Sequence, residues 1–287
     1  MSAIEAKFQA HPVLSACKPL LPVIAVFGYF IGALAIFLLV SRHGLLKDRE
    51  VEKRSASPII SRFWRHYIMW VLAPYERLLV RSGVTPNMIT FASVVTAIVS
   101  AIGFAVGNFG LGGWLYLLAG ILDILDGRIA RRTGQVSSGG AFFDSVMDRY
   151  AELFVFGGLA IFYRSTVWMM VVVMLAAIGS VLVSYARARG EGLGVDVNIG
   201  TMQRPERLFY LGFLGAVSPI WETLLGHGAL PPFVPAVAAL ALLAVSTNVT
   251  AIRRITHTID KLEARAQAQA TDTARAKVVP LRAATGN

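Results

Sequence analysis

LDILDGRIARRTGQVSSGGAFFDSVMDR, residues 122–149, carries four aspartates within sequence that is otherwise typical of membrane-spanning helices. They are Asp123, Asp126, Asp144 and Asp148. An ionisable side chain inside a spanning segment costs about 2.5–3.5 kcal/mol on insertion scales, and such residues generally mark functional sites. Four of them at one depth therefore require a compensating partner.

The spacing predicts that the four carboxylates converge. Asp123 and Asp126 are three residues apart and Asp144 and Asp148 are four apart, so each pair shares one face of a helix. The polar residues 131–140 predict a turn that folds the second helix back beside the first. Like charges this close repel unless protons or cations intervene, and oxygen ligands suit Mg²⁺ or Mn²⁺. The sequence therefore predicts a divalent metal site at a membrane face.

The composition indicates an integral membrane protein. Of the 287 residues, 55% are hydrophobic and only 15% are charged, whereas soluble domains carry about 25% charged residues. The single cysteine excludes an intramolecular disulfide framework and a cysteine-rich zinc site. The five histidines are scattered without metal-ligand spacing. The formal net charge of +10 is concentrated in segments that flank the apolar runs, and we expect no nucleic-acid partner.

Hydropathy predicts an all-α fold, a polytopic membrane helical bundle with six core transmembrane helices, an extra N-terminal span and an interfacial amphipathic helix. The predicted spans are residues 19–40, 86–107, 112–131, 140–163, 166–185, 204–225 and 232–252. A cleaved signal peptide is the alternative for the first, but no A-x-A-like site follows it. The interfacial helix is expected over residues 61–82, with a solvated helix packed on protein as the other interpretation.

This pattern divides the chain into four segments. They are an N-terminal tail and membrane anchor (1–41), a cytoplasmic linker (42–60), a membrane domain (61–258) and a basic cytoplasmic tail (259–287). The tail is expected to be disordered or a frayed helix. Alternate spans bring nearly all basic residues to one side, so the positive-inside rule predicts that the aspartates face the cytoplasm. The expected location is the cell (inner) membrane.

Eight residues at fixed intervals stand out in the opening stretch: Asp123, Asp126, Gly127, Ala130, Arg131, Gly140, Asp144 and Asp148. Their pattern, D-x2-D-G-x2-A-R-x8-G-x3-D-x3-D, resembles the signature of the CDP-alcohol phosphatidyltransferases, with every fixed position filled. The resemblance extends over about residues 62–258. It implies an enzyme of phospholipid biosynthesis that transfers a phosphatidyl group from CDP-diacylglycerol to an alcohol and releases CMP.

The resemblance also implies a role for each motif residue. The four aspartates are expected to bind two Mg²⁺ or Mn²⁺ ions, with Asp148 also the general base toward the acceptor hydroxyl. CDP-lipid binding is expected of Gly127, Arg131 and Gly140. Close helix packing is an equal alternative for Gly140. The alternative for the aspartates is a structural network with arginines, namely Arg128, Arg131 and Arg149.

A second basic group predicts a pocket for an acceptor phosphate. Its members are Arg187, Arg189, Arg204 and Arg207. Phosphate binding is expected of Arg187, Arg204 and Arg207, although positive-inside anchoring explains arginines at these positions equally well. The SYARAR and RPER patterns resemble members of the family that use inositol phosphate. The alternative acceptor is glycerol phosphate, as in a phosphatidylglycerophosphate synthase.

Further expectations concern partners and a competing class. We expect CDP-diacylglycerol, a small alcohol or sugar-phosphate acceptor, membrane lipid, and a second copy of the chain in a homodimer.

An ion-conducting or transport protein is the alternative from another class. It is disfavoured because a conduction path needs acidic groups through the whole membrane depth, whereas these cluster at one end.

Overall fold

Eight helices make up the part of the chain that the computed structural model describes, residues 20–41, 62–200, 202–225 and 231–284, and these ranges contain no strand. The helices are α1 (Leu20–Ser41), α2 (Arg62–Arg81), α3 (Pro86–Ala105), α4 (Phe109–Arg132), α5 (Ser138–Phe162), α6 (Val167–Gly192), α7 (Arg204–Leu225) and α8 (Val234–Ala284). The predicted all-α class is confirmed. The linker predicted at residues 42–60 lies outside the described residues.

Helices α3 to α8 form a closed ring. α3 packs against α4 and α5, α4 against α7, α7 against α8, α8 against α6, and α6 against α5. An aromatic cluster fills one end of the core, where the rings of Phe109 and Phe233 stack with their centroids 4.0 Å apart. The motif aspartates of α4 lie near its other end, because Asp123 and Asp126 come more than three turns after Phe109.

Small residues let the ring helices approach one another closely. A Cβ atom on Gly113 of α4 would overlap the backbone of Ala216 on α7, and one on Gly158 of α5 would overlap the backbone of Ala101 on α3. In lipid, helices associate through such close van der Waals contact rather than through apolar burial from water. Glycine at these two positions therefore sets the spacing of the ring.

Among the described residues, four helices are long and apolar enough to cross a membrane by length and composition. They are Pro86–Ala105, Phe109–Arg132, Val167–Gly192 and, within α8, Val234–Thr271. The described apolar part of α1, Gly28–Val40, is shorter. α5 and α7 have 25 and 22 residues, but both carry charged residues of the site described below, which lowers their hydropathy. The chain is an integral membrane protein.

One buried acid fastens α2 to the end of α4. Glu76 is 3% exposed, and it accepts hydrogen bonds from Arg128 Nε at 2.8 Å and Arg132 Nη1 at 3.1 Å. On its outer side α2 exposes Tyr75 and Leu78 by 48% and 63%. α2 is thus held to α4 by a buried charged contact, and its predicted interfacial position stays a prediction.

α8 is the longest helix, with 51 residues. It continues through the segment from residue 259, where disorder or a frayed helix is expected from the sequence, as far as Ala284. The reason lies in the composition of that segment, which is rich in the strong helix formers Ala, Arg, Gln and Lys. Arg265 on this extension donates from Nη2 to the carbonyl oxygen of Gly194 at 2.7 Å, just after the end of α6.

Candidate active site

A short turn connects the two helices that carry the aspartates. After α4, Gly134 adopts φ 70°, the left-handed region that favours glycine. Before α5, the hydroxyl of Ser137 accepts a hydrogen bond from the amide of Gly140 at 3.0 Å and caps the helix. The predicted turn is therefore present. The predicted side-by-side hairpin needs correction, because α4 and α5 both pack mainly on α3, which brings α3 into the site.

Three of the four aspartates form one compact group. One carboxylate oxygen each from Asp123, Asp126 and Asp144 lie within 4.8 Å of one another. Asp126 is 3% exposed and accepts a hydrogen bond from Thr90 Oγ1 of α3 at 2.6 Å. Oδ1 of Asp144 is buried and has no hydrogen-bond partner among the described residues. An unpartnered buried carboxylate oxygen beside two other carboxylates fits a divalent cation, since hard cations take oxygen ligands.

The fourth aspartate joins this group through an arginine. Arg204 at the start of α7 contacts Asp123 Oδ2 through Nη1 at 2.5 Å and Asp148 Oδ1 through Nη2 at 2.7 Å. The guanidinium thus supplies positive charge to the acidic cluster. All four predicted metal-binding aspartates therefore lie at one site, three as a group and Asp148 beside it.

The three residues expected to bind the CDP-lipid border this site. A Cβ atom on Gly127 would lie 3.3 Å from Nη1 of Arg131, so glycine leaves room for that guanidinium over the helix backbone. A Cβ atom on Gly140 would lie 3.0 Å from the hydroxyl oxygen of Ser137. Gly140 thus has a structural role in the cap of α5. Its role in binding the CDP-lipid stays a prediction.

The arginines expected to bind the acceptor phosphate lie in three different settings. Arg204 bridges the aspartates, as described above. Arg207 is 2% exposed, and it donates from Nε and Nη2 to the two carboxylate oxygens of Glu152 at 2.8 and 3.2 Å. Arg187 pairs with Glu191 at 2.8 Å on an exposed surface of α6. Their shared role as an acceptor pocket stays a prediction.

Sequence reasoning missed several partners in this site. The arginine that pairs with the aspartates is Arg204, whereas Arg128 pairs with Glu76. Thr90 was missed as well. It begins a buried stripe of small polar residues on α3, continued by Ser93, whose hydroxyl donates to the carbonyl oxygen of Ala119 on α4 at 2.9 Å. Such a stripe at helical spacing in an apolar helix is the signal that could have identified α3 as a wall of the site.

Comparison with known proteins agrees with the geometry. The sequence model of the CDP-alcohol phosphatidyltransferase family matches residues 83–245, more than half of the chain and all four aspartates. The phosphatidylinositol phosphate synthase of Streptomyces avermitilis is 34% identical over 217 residues, covering 70% of this chain and 85% of that protein.

Solved structures of a second relative, the phosphatidylinositol phosphate synthase of Mycobacterium tuberculosis, share the fold. The structure with CDP-DAG bound has a TM-score of 0.56 and 27% identity, over 64% of this chain and 92% of that chain. The structure in complex with manganese and citrate also has a TM-score of 0.56 and 27% identity, over 65% of this chain and 87% of that chain.

The chain combines an acidic cluster that fits a divalent metal with a ring of membrane helices and with sequence similarity to known synthases. Together these features define a membrane transferase of phospholipid biosynthesis. The chain belongs to the CDP-alcohol phosphatidyltransferase family. It is an enzyme that moves a phosphatidyl group from a CDP-linked lipid to an alcohol.

Proposed function

We propose that this chain transfers the phosphatidyl group of CDP-diacylglycerol to inositol phosphate, forming phosphatidylinositol phosphate and CMP. The main support is that the complete four-aspartate site occurs in a chain that is 34% identical to a phosphatidylinositol phosphate synthase. The CDP-DAG complex of the mycobacterial relative supports the same donor.

The four aspartates would hold two Mg²⁺ or Mn²⁺ ions. The cations supply Lewis-acid stabilisation of the charge that develops on the pyrophosphate during transfer. Asp123, Asp126 and Asp144 offer the compact group, with the unpartnered oxygen of Asp144 as one ligand atom. Asp148 completes the set once Arg204 releases it, because the guanidinium occupies one oxygen each of Asp148 and Asp123.

In the transfer itself, Asp148 accepts the proton of the acceptor hydroxyl. The acceptor oxygen forms a bond to the phosphorus that carries diacylglycerol, and the bridging P–O bond of the pyrophosphate breaks, so that CMP leaves. Arg131, whose planar fork suits phosphate, orients the nucleotide beside the small residues Gly127 and Gly140.

The acceptor phosphate is bound by arginines at the same end of the ring. Arg204 and Arg187 have partly exposed guanidinium groups, 24% and 44% of their side chains, and can exchange a carboxylate partner for a phosphate. Arg207 is buried against Glu152 and acts on this pocket by positioning α7 rather than by contact.

The proposed topology has six core spans, α3 to α8, preceded by an anchor in α1, and places the site at the cytoplasmic face of the cell (inner) membrane. α5 and α7 are assigned as spans because they close the ring with the four apolar helices. Basic residues flank the aspartate end, at Arg128, Arg131 and Arg132, as the positive-inside rule requires of a cytoplasmic face. The expected homodimer stays a prediction, to be measured by light scattering of the purified protein.

One assay tests the function directly. The purified protein is incubated with CDP-diacylglycerol and Mn²⁺ or Mg²⁺, with inositol phosphate, free inositol or glycerol phosphate as acceptor, and released CMP is measured. We expect CMP release with inositol phosphate and none after EDTA treatment. Faster release with glycerol phosphate would assign the chain to the phosphatidylglycerophosphate synthases. Full activity in EDTA would contradict the metal-dependent mechanism.

A further inference from the structure

A groove of about 760 Å³ lies outside the aspartate site, between α1, α2 and the end of α4. This volume is in the range of small-molecule binding sites, roughly 300–1,000 Å³. Two contacts fix the helices that form it: Tyr67 of α2 donates a hydrogen bond to the carbonyl oxygen of Phe30 on α1 at 2.5 Å, and the hydroxyls of Tyr29 and Tyr75 lie 3.2 Å apart. α1 and α2 precede residue 83, so these two walls come from outside the segment that matches the family model.

Two glycines form the α1 side of the groove. Gly28 and Gly32 are four residues apart and so share one face of the helix. A Cβ atom on either one would meet no atom of the described residues within 4 Å, so among these residues the groove is open directly over the α1 backbone. Opposite them lie the indole of Trp70 and the ring of Pro74. This part of the groove is apolar, so it suits an acyl chain rather than a soluble metabolite.

Positive charge lies along the same groove. Arg77 of α2 and Arg132 at the end of α4 both line it. Arg132 donates one of its five N–H groups to Glu76, and its side chain remains 48% exposed. A guanidinium beside an apolar groove matches the phosphate and the acyl chain of one membrane lipid.

We propose that this groove binds one anionic phospholipid of the surrounding membrane. Arg77 and Arg132 hold its phosphate, and an acyl chain lies over Gly28 and Gly32. Charge complementarity selects an anionic headgroup over a zwitterionic one. Arg132 and Arg128 both pair with Glu76, so the bound lipid contacts the α2–α4 junction. It stays outside the aspartate site, because the residues that line the groove include none of the four aspartates.

Native mass spectrometry of the purified full-length protein, titrated with phosphatidylglycerol or phosphatidylcholine in detergent micelles, tests the proposal. The wild type is expected to retain one phosphatidylglycerol in preference to phosphatidylcholine. Arg77→Gln removes a charge-assisted hydrogen bond and should weaken retention about ten-fold. Gly32→Leu puts a side chain into the groove and should weaken retention at least as much. Neither change removes a contact of the folded chain that fixes α1 to α2.

Two matched variants serve as controls. Gly157→Leu on α5 is the same substitution at another helical glycine whose Cβ would meet no atom within 4 Å, and retention should match the wild type. Asp126→Asn alters the aspartate site and should also leave retention unchanged.

Four results would overturn the proposal. The first is equal retention by the wild type, Arg77→Gln and Gly32→Leu, and the second is equal retention of the two lipids. The third is loss of retention in Asp126→Asn, which assigns the bound lipid to the donor site. The fourth is displacement by inorganic phosphate as effectively as by phosphatidylglycerol, which identifies a free-anion site rather than a lipid groove.

Discussion

Arg204 and Arg207 lie three residues apart on α7, and both pair with carboxylates, yet their surroundings differ. Arg204 is 24% exposed and bridges Asp123 and Asp148, which are 20% and 15% exposed. Arg207 is 2% exposed and forms a two-pronged pair with Glu152, which is 6% exposed. The contacts of Arg204 are partly exposed, whereas the pair of Arg207 lies inside the protein.

The difference separates two uses of the same residue type. Breaking a buried pair leaves a charge without its partner in a low-dielectric interior, which costs about 3–5 kcal/mol. Arg207 and Glu152 are therefore fixed parts of the fold that join α7 to α5. A partly exposed pair can exchange its partner for a ligand at much lower cost, so Arg204 is suited to change partners during the reaction.

The largest expected effect on activity is at Asp148, which pairs with Arg204 and is the proposed general base. Asp148→Asn should lower kcat about 10²- to 10⁴-fold, because the acceptor hydroxyl loses its general base. The unfolding temperature should stay close to that of the wild type. CMP release and thermal unfolding in detergent measure the two quantities. The exposed Asp196→Asn is the control, and near-normal turnover of Asp148→Asn would remove the proposed base.

Changing the buried pair of Glu152 and Arg207 should lower stability rather than act on the general base. Glu152→Ala should lower the free energy of unfolding by about 3–5 kcal/mol, because Arg207 is left buried without its carboxylate. Glu191→Ala removes the partner of Arg187 from an exposed pair and should cost about 0–1 kcal/mol. Unfolding of both variants in EDTA gives the comparison. Equal losses would show that burial does not distinguish the two pairs.

Removing the exchangeable arginine should strengthen metal binding. Arg204→Gln frees one oxygen each of Asp123 and Asp148, and we expect about ten-fold tighter Mn²⁺ binding by titration calorimetry of the EDTA-treated, dialysed protein. Arg189→Gln removes the same charge from an exposed position of α6 and controls for long-range electrostatics. Unchanged or weaker binding in Arg204→Gln would show that this arginine does not compete with the cation.

The smallest effect is expected at Arg187, the most exposed member of the group. Arg187→Gln should raise KM for inositol phosphate by up to about ten-fold while KM for CDP-diacylglycerol stays the same. Steady-state kinetics with each substrate varied in turn measures this, again beside Arg189→Gln. If both KM values stay unchanged, Arg187 is a membrane-flanking charge and the acceptor pocket lies elsewhere.

The sequence predicted what depends on local spacing. Aspartates three and four residues apart lie on one helix face wherever that helix packs, so the acidic site and the turn before Gly140 could be predicted. The pairings that complete the site join distant positions: Thr90 with Asp126 are 36 residues apart, and Arg204 with Asp123 are 81 apart. These pairings depend on which helices are neighbours in the ring, and hydropathy predicts the spans but not their neighbours. For the same reason the position of α3 between α4 and α5 was missed.

The length of α8 has a consequence for what the enzyme presents outside the bilayer. At 1.5 Å per residue its 51 residues extend about 76 Å, more than twice the roughly 30 Å of a hydrocarbon core. A single continuous helix therefore begins inside the ring and is far longer than one crossing of a hydrocarbon core requires. The hydrogen bond from Arg265 to Gly194 ties the middle part of α8 to the segment just after α6. A fluorophore or fusion partner placed near Ala284 would stand well away from the ring, and a change in the tilt of α8 would appear there as a magnified displacement.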